Sequence, residues 1–157
     1  MAGSPGSNAP TSANPEHPSR EGPLVRIRMC SAKIHRATVT EANLNYIGSV
    51  TIDEELLKAT GILPYQMVQI TNLSNGTLWH TYTIAGPAGQ GDICLNGPPA
   101  RLFAPGDKVV ILAEADLEPE DLEGFQPVVA FVDDDNRVTR IEHHEMARTF
   151  ADMRQGG

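Results

Sequence analysis

The sequence predicts a mainly β domain folded as a small barrel. Short runs of alternating apolar and polar residues recur at close spacing from Leu24 onward, turn signals separate them, and helical segments are few. The 157 residues are enough for one domain with a real core and not comfortably enough for two.

The first 22 residues, MAGSPGSNAPTSANPEHPSREG, are rich in Pro, Ser, Gly and Asn and lack Ile, Leu, Val and Phe. Such a segment cannot bury enough apolar surface to offset its ordering entropy, so 1–22 is expected to be a disordered tail. It has neither the apolar stretch of a secretory signal nor the character of an Arg-rich amphipathic transit peptide.

The folded domain is expected over 23–142. LVRIRM alternates, and KIHRATVTEANL continues it with β-branched residues. LNYIGSVTI (Leu44 to Ile52) alternates again, interrupted by Gly48-Ser49. DEELLKATG predicts a helix from Asp53 to Gly61, with an Asp N-cap and a Gly stop. MVQITNL and LWHTYTIAG read as strands joined by a hairpin turn at Asn75-Gly76. DICLN, KVVILAEA, PVVAFV and RVTRI are further strands, set apart by GPAGQG, NGPP, APGD and DDDN. EPEDLEG supplies one or two helical turns. IEHHEMARTFADMR predicts a C-terminal amphipathic helix, so residues 143–157 form a helix or tail beyond the barrel.

Composition narrows the function. A net charge of −8 and a pI near 5.0 argue against nucleic acid and against anionic lipid as partners. No apolar run approaches the ~20 residues of a membrane span. Cys30 and Cys94 lack CxxC spacing and are too few for a disulfide framework, so they read as free thiols in a reducing cytoplasm. No metal is expected. His143, His144 and Glu145 are adjacent and do not share a helix face. DDDN lacks the Gly and the distal Glu of a calcium loop, and GPAGQG lacks the GxGxxG spacing.

The chemistry begins at Gly48-Ser49. A glycine inside a strand-like run marks a place where something approaches the backbone closely. A serine after a glycine in a tight turn can attack the preceding peptide carbonyl, and glycine permits the strained angles this needs. The ester so formed can eliminate its acyl group, and hydrolysis then leaves a pyruvoyl group at a new N-terminus.

KIHRATVTEANLNYIGS resembles the processing-site segment of the pyruvoyl-dependent aspartate 1-decarboxylases: Lys-x-His-Arg, Thr-Val-Thr, then Tyr-x-Gly-Ser with scission between Gly and Ser. NGTLWHTYTIAG, ICLNGPPARL, PGDKVVILAEA and FVDDDNRV are similar to later family segments in the same order, from about Val25 to Val138. The resemblance implies a six-stranded double-psi β-barrel, a homotetramer with active sites between subunits, and conversion of L-aspartate to β-alanine and carbon dioxide for pantothenate synthesis.

It also implies roles. Ser49 becomes the pyruvoyl group that forms a Schiff base with the substrate, an electron sink like that of PLP. Gly48 ends the small chain. Tyr82 donates a proton to the decarboxylated intermediate. Thr81 contacts substrate and assists scission, and Asn96 orients the pyruvoyl region. Gly97, Pro98 and Pro99 lie where the family's substrate-binding backbone lies. Lys33 and His35 face the anionic substrate, with Lys33 able to hold a carboxylate by charge-assisted hydrogen bonds. Tyr46 matches the tyrosine before the scission point.

One position departs from the pattern. Leu78 stands where the family carries an arginine that pairs with the substrate carboxylate, and leucine cannot make a bidentate pair. Losing that partner costs about 2–4 kcal/mol of binding unless Arg26, Arg28 or Arg101 replaces it. Pro98-Pro99 replaces small non-proline residues. Two alternatives therefore stand beside aspartate decarboxylation: a pyruvoyl enzyme for a different amino acid, and an unprocessed, noncatalytic barrel.

Overall fold

The computed structural model describes residues 23–143. The expected tail over 1–22 and nearly all of the expected C-terminal helix lie outside these residues. The strands are β1 (Ile27–Thr38), β2 (Glu41–Asn43), β3 (Val50–Asp53), β4 (Met67–Asn72), β5 (Leu78–Gly86), β6 (Ile93–Asn96), β7 (Lys108–Leu117), β8 (Val128–Val132) and β9 (Val138–Glu142). One α-helix, α1 (Glu54–Thr60), and two 3-10 turns, at Pro98–Arg101 and Pro119–Asp121, complete the described residues. None of these helices is long and apolar enough to cross a membrane.

The strands form one sheet in the order β2-β6-β3-β5-β4-β7-β1-β8-β9. β1 and β2 lie far apart in this order, yet only Val39 and Thr40 separate them in the chain. That continuous segment therefore spans from β7 back to β6 and closes the sheet into a barrel. Thr40 carries the closure. Its N–H and its hydroxyl donate to the Ile93 carbonyl at 2.9 and 3.1 Å, and the Ile93 N–H reaches the same hydroxyl at 2.9 Å. With β2 counted as the continuation of β1, six strands enclose the core, and the β8–β9 hairpin extends the sheet beyond β1.

Period-2 patterning fills the interior. β4 buries Val68, Ile70 and Asn72 and turns Met67, Gln69 and Thr71 outward. Ile34, Ile52, Ile70, Ile93, Leu95 and Ile111 are wholly buried, each contributing about 1.5–3 kcal/mol. α1 forms as its caps predict. The Asp53 side chain accepts from the Glu55 N–H at 2.8 Å, and Gly61 ends the helix in the left-handed region. Leu56, Leu57 and Thr60 face the barrel.

Two local expectations fail. LNYIGSVTI is not a strand throughout: Leu44 to Ser49 make a turn and β3 begins at Val50. Positive φ at Gly48 and Ser49 is incompatible with extended backbone, and it leaves Ile47 87% exposed. The helix expected from Ile141 does not begin there, because Ile141 and Glu142 pair with Ala130 and Val129 of β8.

Candidate active site

Two left-handed residues in succession set up the site, Gly48 at φ +50° and Ser49 at φ +73°. Glycine adopts this region freely. For an L-residue with a side chain it costs about 1–2 kcal/mol. The sheet holds the turn from both sides. Val50 pairs in parallel with Thr83 of β5 and antiparallel with Leu95 of β6. The residues just before Val50 therefore run beside Thr81-Tyr82 on one flank and Asn96 on the other.

Asn96 clamps this turn. Its N–H donates to the Ser49 carbonyl at 3.0 Å, and its Nδ2 donates to Thr51 Oγ1 at 3.0 Å. Ser49 is 3% exposed, and its hydroxyl has no hydrogen-bond partner among the described residues. Leaving a buried hydroxyl unsatisfied costs about 1–3 kcal/mol, and such groups are rare in folded proteins. Here it is the candidate nucleophile, with no local acceptor competing for its orientation.

A second observation also favours glycine at 48. The Tyr82 phenol oxygen lies 3.3 Å from where a Cβ on Gly48 would sit. Gly97, at φ +74°, closes the opposite wall: a Cβ there would lie 3.6 Å from Gly48 Cα and N and from the Tyr46 carbonyl oxygen. The Gly97 N–H donates to the Asn43 carbonyl at 2.8 Å. Pro98 and Pro99 then open the 3-10 turn that ends at Arg101. Neither proline has an N–H, and the Pro99 carbonyl already accepts from Leu102 and Phe103 at 2.8 and 3.1 Å.

β5 sorts the remaining residues by face. Thr81, 8% exposed, points inward beside Val68. Leu78, His80 and Tyr82 share the other face, with Leu78 half exposed. Tyr82 stacks on Tyr65 at 6.3 Å between ring centroids. Tyr65 carries no periodic or motif signal in the sequence. The one available hint was its place after Pro64, as the third residue of a Leu-Pro-Tyr-Gln turn. Cys94, two residues before Asn96, does not compete as a nucleophile. Burial pushes its thiol up, outweighing the lowering effect of the Thr40 hydroxyl, and Asp92 and Glu41 add to the rise.

Lys33 and His35 lie elsewhere in the chain. They sit on β1, which pairs with β7 and β8 and not with β3. Lys33 pairs with Leu112 and Val129, and His35 pairs with Phe131, its ring edge-on to that phenyl at 5.2 Å. Of the three arginines that could stand in for the missing one, Arg28 is bound to Asp116 at 2.9 Å and lies 3.6 Å from Glu114. Arg26 lies 4.0 Å from Glu118. Arg101 is exposed at the end of the 3-10 turn that starts beside Gly97.

A closed β-barrel carrying a left-handed Gly-Ser turn, with a phenol on one flank and an asparagine clamp on the other, fits the class of pyruvoyl-dependent decarboxylases. The comparisons narrow this. A family model described as aspartate decarboxylase matches residues 25–139. The aspartate 1-decarboxylase of Carboxydothermus hydrogenoformans is 55% identical over 120 residues, covering 76% of this chain and 94% of that protein. That of Salinibacter ruber is 51% identical over 122 residues (78% and 84%), and that of Lactiplantibacillus plantarum is 52% identical over 119 residues (76% and 92%). The chain belongs to the aspartate decarboxylase family, whose members are double-psi barrels dependent on a pyruvoyl group.

Proposed function

We propose that this chain is a self-cleaving pyruvoyl-dependent decarboxylase that converts L-aspartate to β-alanine and carbon dioxide, the β-alanine serving pantothenate synthesis. Relatives named aspartate 1-decarboxylase, at 51–55% identity, support the reaction. The observation in the structure that carries the reading is Ser49: left-handed, buried, with an unpartnered hydroxyl directly after Gly48.

On this reading the Ser49 hydroxyl adds to the Gly48 carbonyl carbon and the C–N bond breaks, leaving an ester and a free Ser49 amine. Loss of the Ser49 Cα proton expels the Gly48 carboxylate from Cβ, and water then displaces the nitrogen as ammonia to leave a pyruvoyl group at position 49. Thr81 lines the turn and assists scission, while Asn96 holds the position-49 carbonyl throughout. A pyruvoyl group at position 49 would supply the ketone and electron sink that an amino-acid decarboxylation needs.

The remaining work falls to side chains. Tyr82 returns a proton to the substrate Cα. The backbone of Gly97, Pro98 and Pro99 walls the substrate in. Lys33 and His35, on a strand that does not pair with β3, serve the site of a neighbouring copy, and the working unit is a homotetramer of cleaved chains. Cys30 and Cys94, which form no disulfide with each other, agree with a cytoplasmic enzyme.

Denaturing mass spectrometry tests the proposal. Wild type should give a small chain ending at Gly48 and a larger one beginning with a pyruvoyl group, and Ser49→Ala should stay whole. An intact wild-type chain after prolonged warm incubation would reject self-processing, and processed protein that releases no carbon dioxide from aspartate would reject the substrate.

A further inference from the structure

We infer that Tyr65 is a positioning residue for Tyr82: a strained turn presses its ring against the Tyr82 ring and so fixes the phenol over the Gly48–Ser49 turn. The inference rests on the reading of Tyr82 as proton donor.

The Gln66 N–H donates to the Leu63 carbonyl at 3.1 Å, closing a turn with Pro64 second and Tyr65 third. Tyr65 has φ +66°. In a turn of this type the third position belongs to glycine or asparagine, and a bulky aromatic residue there is an outlier. Such strain persists only where the surroundings over-determine it, and it concentrates at functional sites. Here Thr83 supplies three of the bonds, and the Gln66 side chain adds two, accepting from the Leu63 N–H at 2.9 Å and donating to the Glu114 carbonyl at 3.3 Å. The Tyr65 N–H donates to the Thr83 carbonyl at 2.8 Å, the Thr83 N–H donates to the Gln66 carbonyl at 3.1 Å, and Thr83 Oγ1 donates to the Leu63 carbonyl at 2.6 Å. Thr83 follows Tyr82 and pairs with Val50, so the turn is fastened to the very strand that carries the phenol.

The rings lie 23° from parallel at 6.3 Å, within the range of offset stacking. Tyr65 is 76% exposed in the chain, so its own burial does not account for an aromatic residue at a position that disfavours one. Its contact with Tyr82 does. With that ring gone, the phenol gains freedom on its open face, and small misplacements of a reacting group are costly in rate.

The experiment compares Tyr65→Phe, Tyr65→Asn and Tyr82→Phe, singly and as the Tyr65→Asn/Tyr82→Phe pair. Asparagine suits the left-handed turn, so Tyr65→Asn should melt no lower than wild type and should process at the wild-type rate. Its kcat should fall about tenfold with KM within about twofold, and Tyr65→Phe should restore kcat. In the pair, Tyr65→Asn should add no further loss. In carbon-13-labelled tyrosine spectra, the Tyr82 signal should move in Tyr65→Asn and stay in Tyr65→Phe. Wild-type kcat in Tyr65→Asn, with Tyr82→Phe slow, would overturn the positioning role alone. Wild-type kcat in Tyr82→Phe would remove the proton-donor reading beneath it. Loss of kcat with a changed assembly by sedimentation would make Tyr65 a subunit contact instead and overturn the inference.

Discussion

An arginine and a leucine at position 78 differ in charge as well as in reach. Leu78 lies four residues before Tyr82 on the same face of β5, about 13 Å along the strand at ~3.3 Å per residue. An arginine can reach part of the way along that face to hold a carboxylate, whereas leucine presents apolar surface to it. A carboxylate facing leucine loses hydration without gaining a partner. Leu78→Arg should therefore lower the KM for aspartate about tenfold, a change worth ~1.4 kcal/mol, as measured by initial rates of carbon dioxide release. If the wild type prefers an amino acid with an uncharged side chain and Leu78→Arg abolishes that preference, aspartate is the wrong substrate. Tyr82→Phe tests the other end of the same strand face. The ring volume is nearly conserved, so folding and scission should survive while turnover falls ~10²–10⁴-fold. Unchanged turnover would take Tyr82 out of the mechanism.

At the scale of elements, Asp53 does more than cap α1. Its buried carboxylate accepts from the N–H groups of Glu55, Gly89 and Gly91 at 2.8, 3.0 and 2.6 Å, with Arg137 at 3.9 Å. Burial alone would push this carboxyl up, but the three amides and the guanidinium together hold it below the usual range. A depressed folded-state value means that the stabilisation is complete above the unfolded pKa, about 3.9, and is lost as pH falls through the lower folded value. Wild type should therefore lose more stability below about pH 4 than Asp53→Asn does, as read from melting midpoints across pH. At neutral pH, Asp53→Ala should cost about 2–4 kcal/mol, for a lost cap and two further amides left unpaired. Equal acid sensitivity in Asp53→Asn would show that this carboxylate does not control the transition. The cap and the Gly61 stop were legible because they are local, set by residues eight apart. Asn136 was not. In the sequence it is the tip of DDDN. In the fold it is 2% exposed and bonds Thr38, 98 residues away, and Gly91, 45 away, contacts that no local pattern encodes.

For the molecule as a whole, scission between Gly48 and Ser49 would cut the chain without opening the barrel. The small chain would keep β1, paired with β7 on one edge and β8 on the other, and β2, paired with β6. The two chains should therefore comigrate in size-exclusion chromatography under native conditions and separate only in denaturant. Release of the small chain at neutral pH without denaturant would contradict this. The same topology explains what the sequence could and could not reveal. Alternation and turn chemistry marked all the principal strands. The closure through Val39 and Thr40 depends on which edge β2 finds, a non-local choice. The Gly48–Ser49 turn came from resemblance, because alternation alone read through it as strand. Tyr65 stayed hidden because its partner, Tyr82, lies 17 residues on and meets it only once β4 and β5 have paired.

The left-handed torsion at residue 49 is a penalty on chirality. It weighs on an L-configured carbon and on nothing else. On the proposed processing that carbon ends as a planar ketone, which has no hand. What is uncomfortable for the newborn chain is then neutral for the finished one, and the discomfort disappears in the same reaction that creates the new terminus. Resealing the backbone would have to rebuild both a stereocentre and its disfavoured torsion. On that processing the turn would behave as a ratchet that clicks once, favouring maturation over its reversal before any substrate arrives.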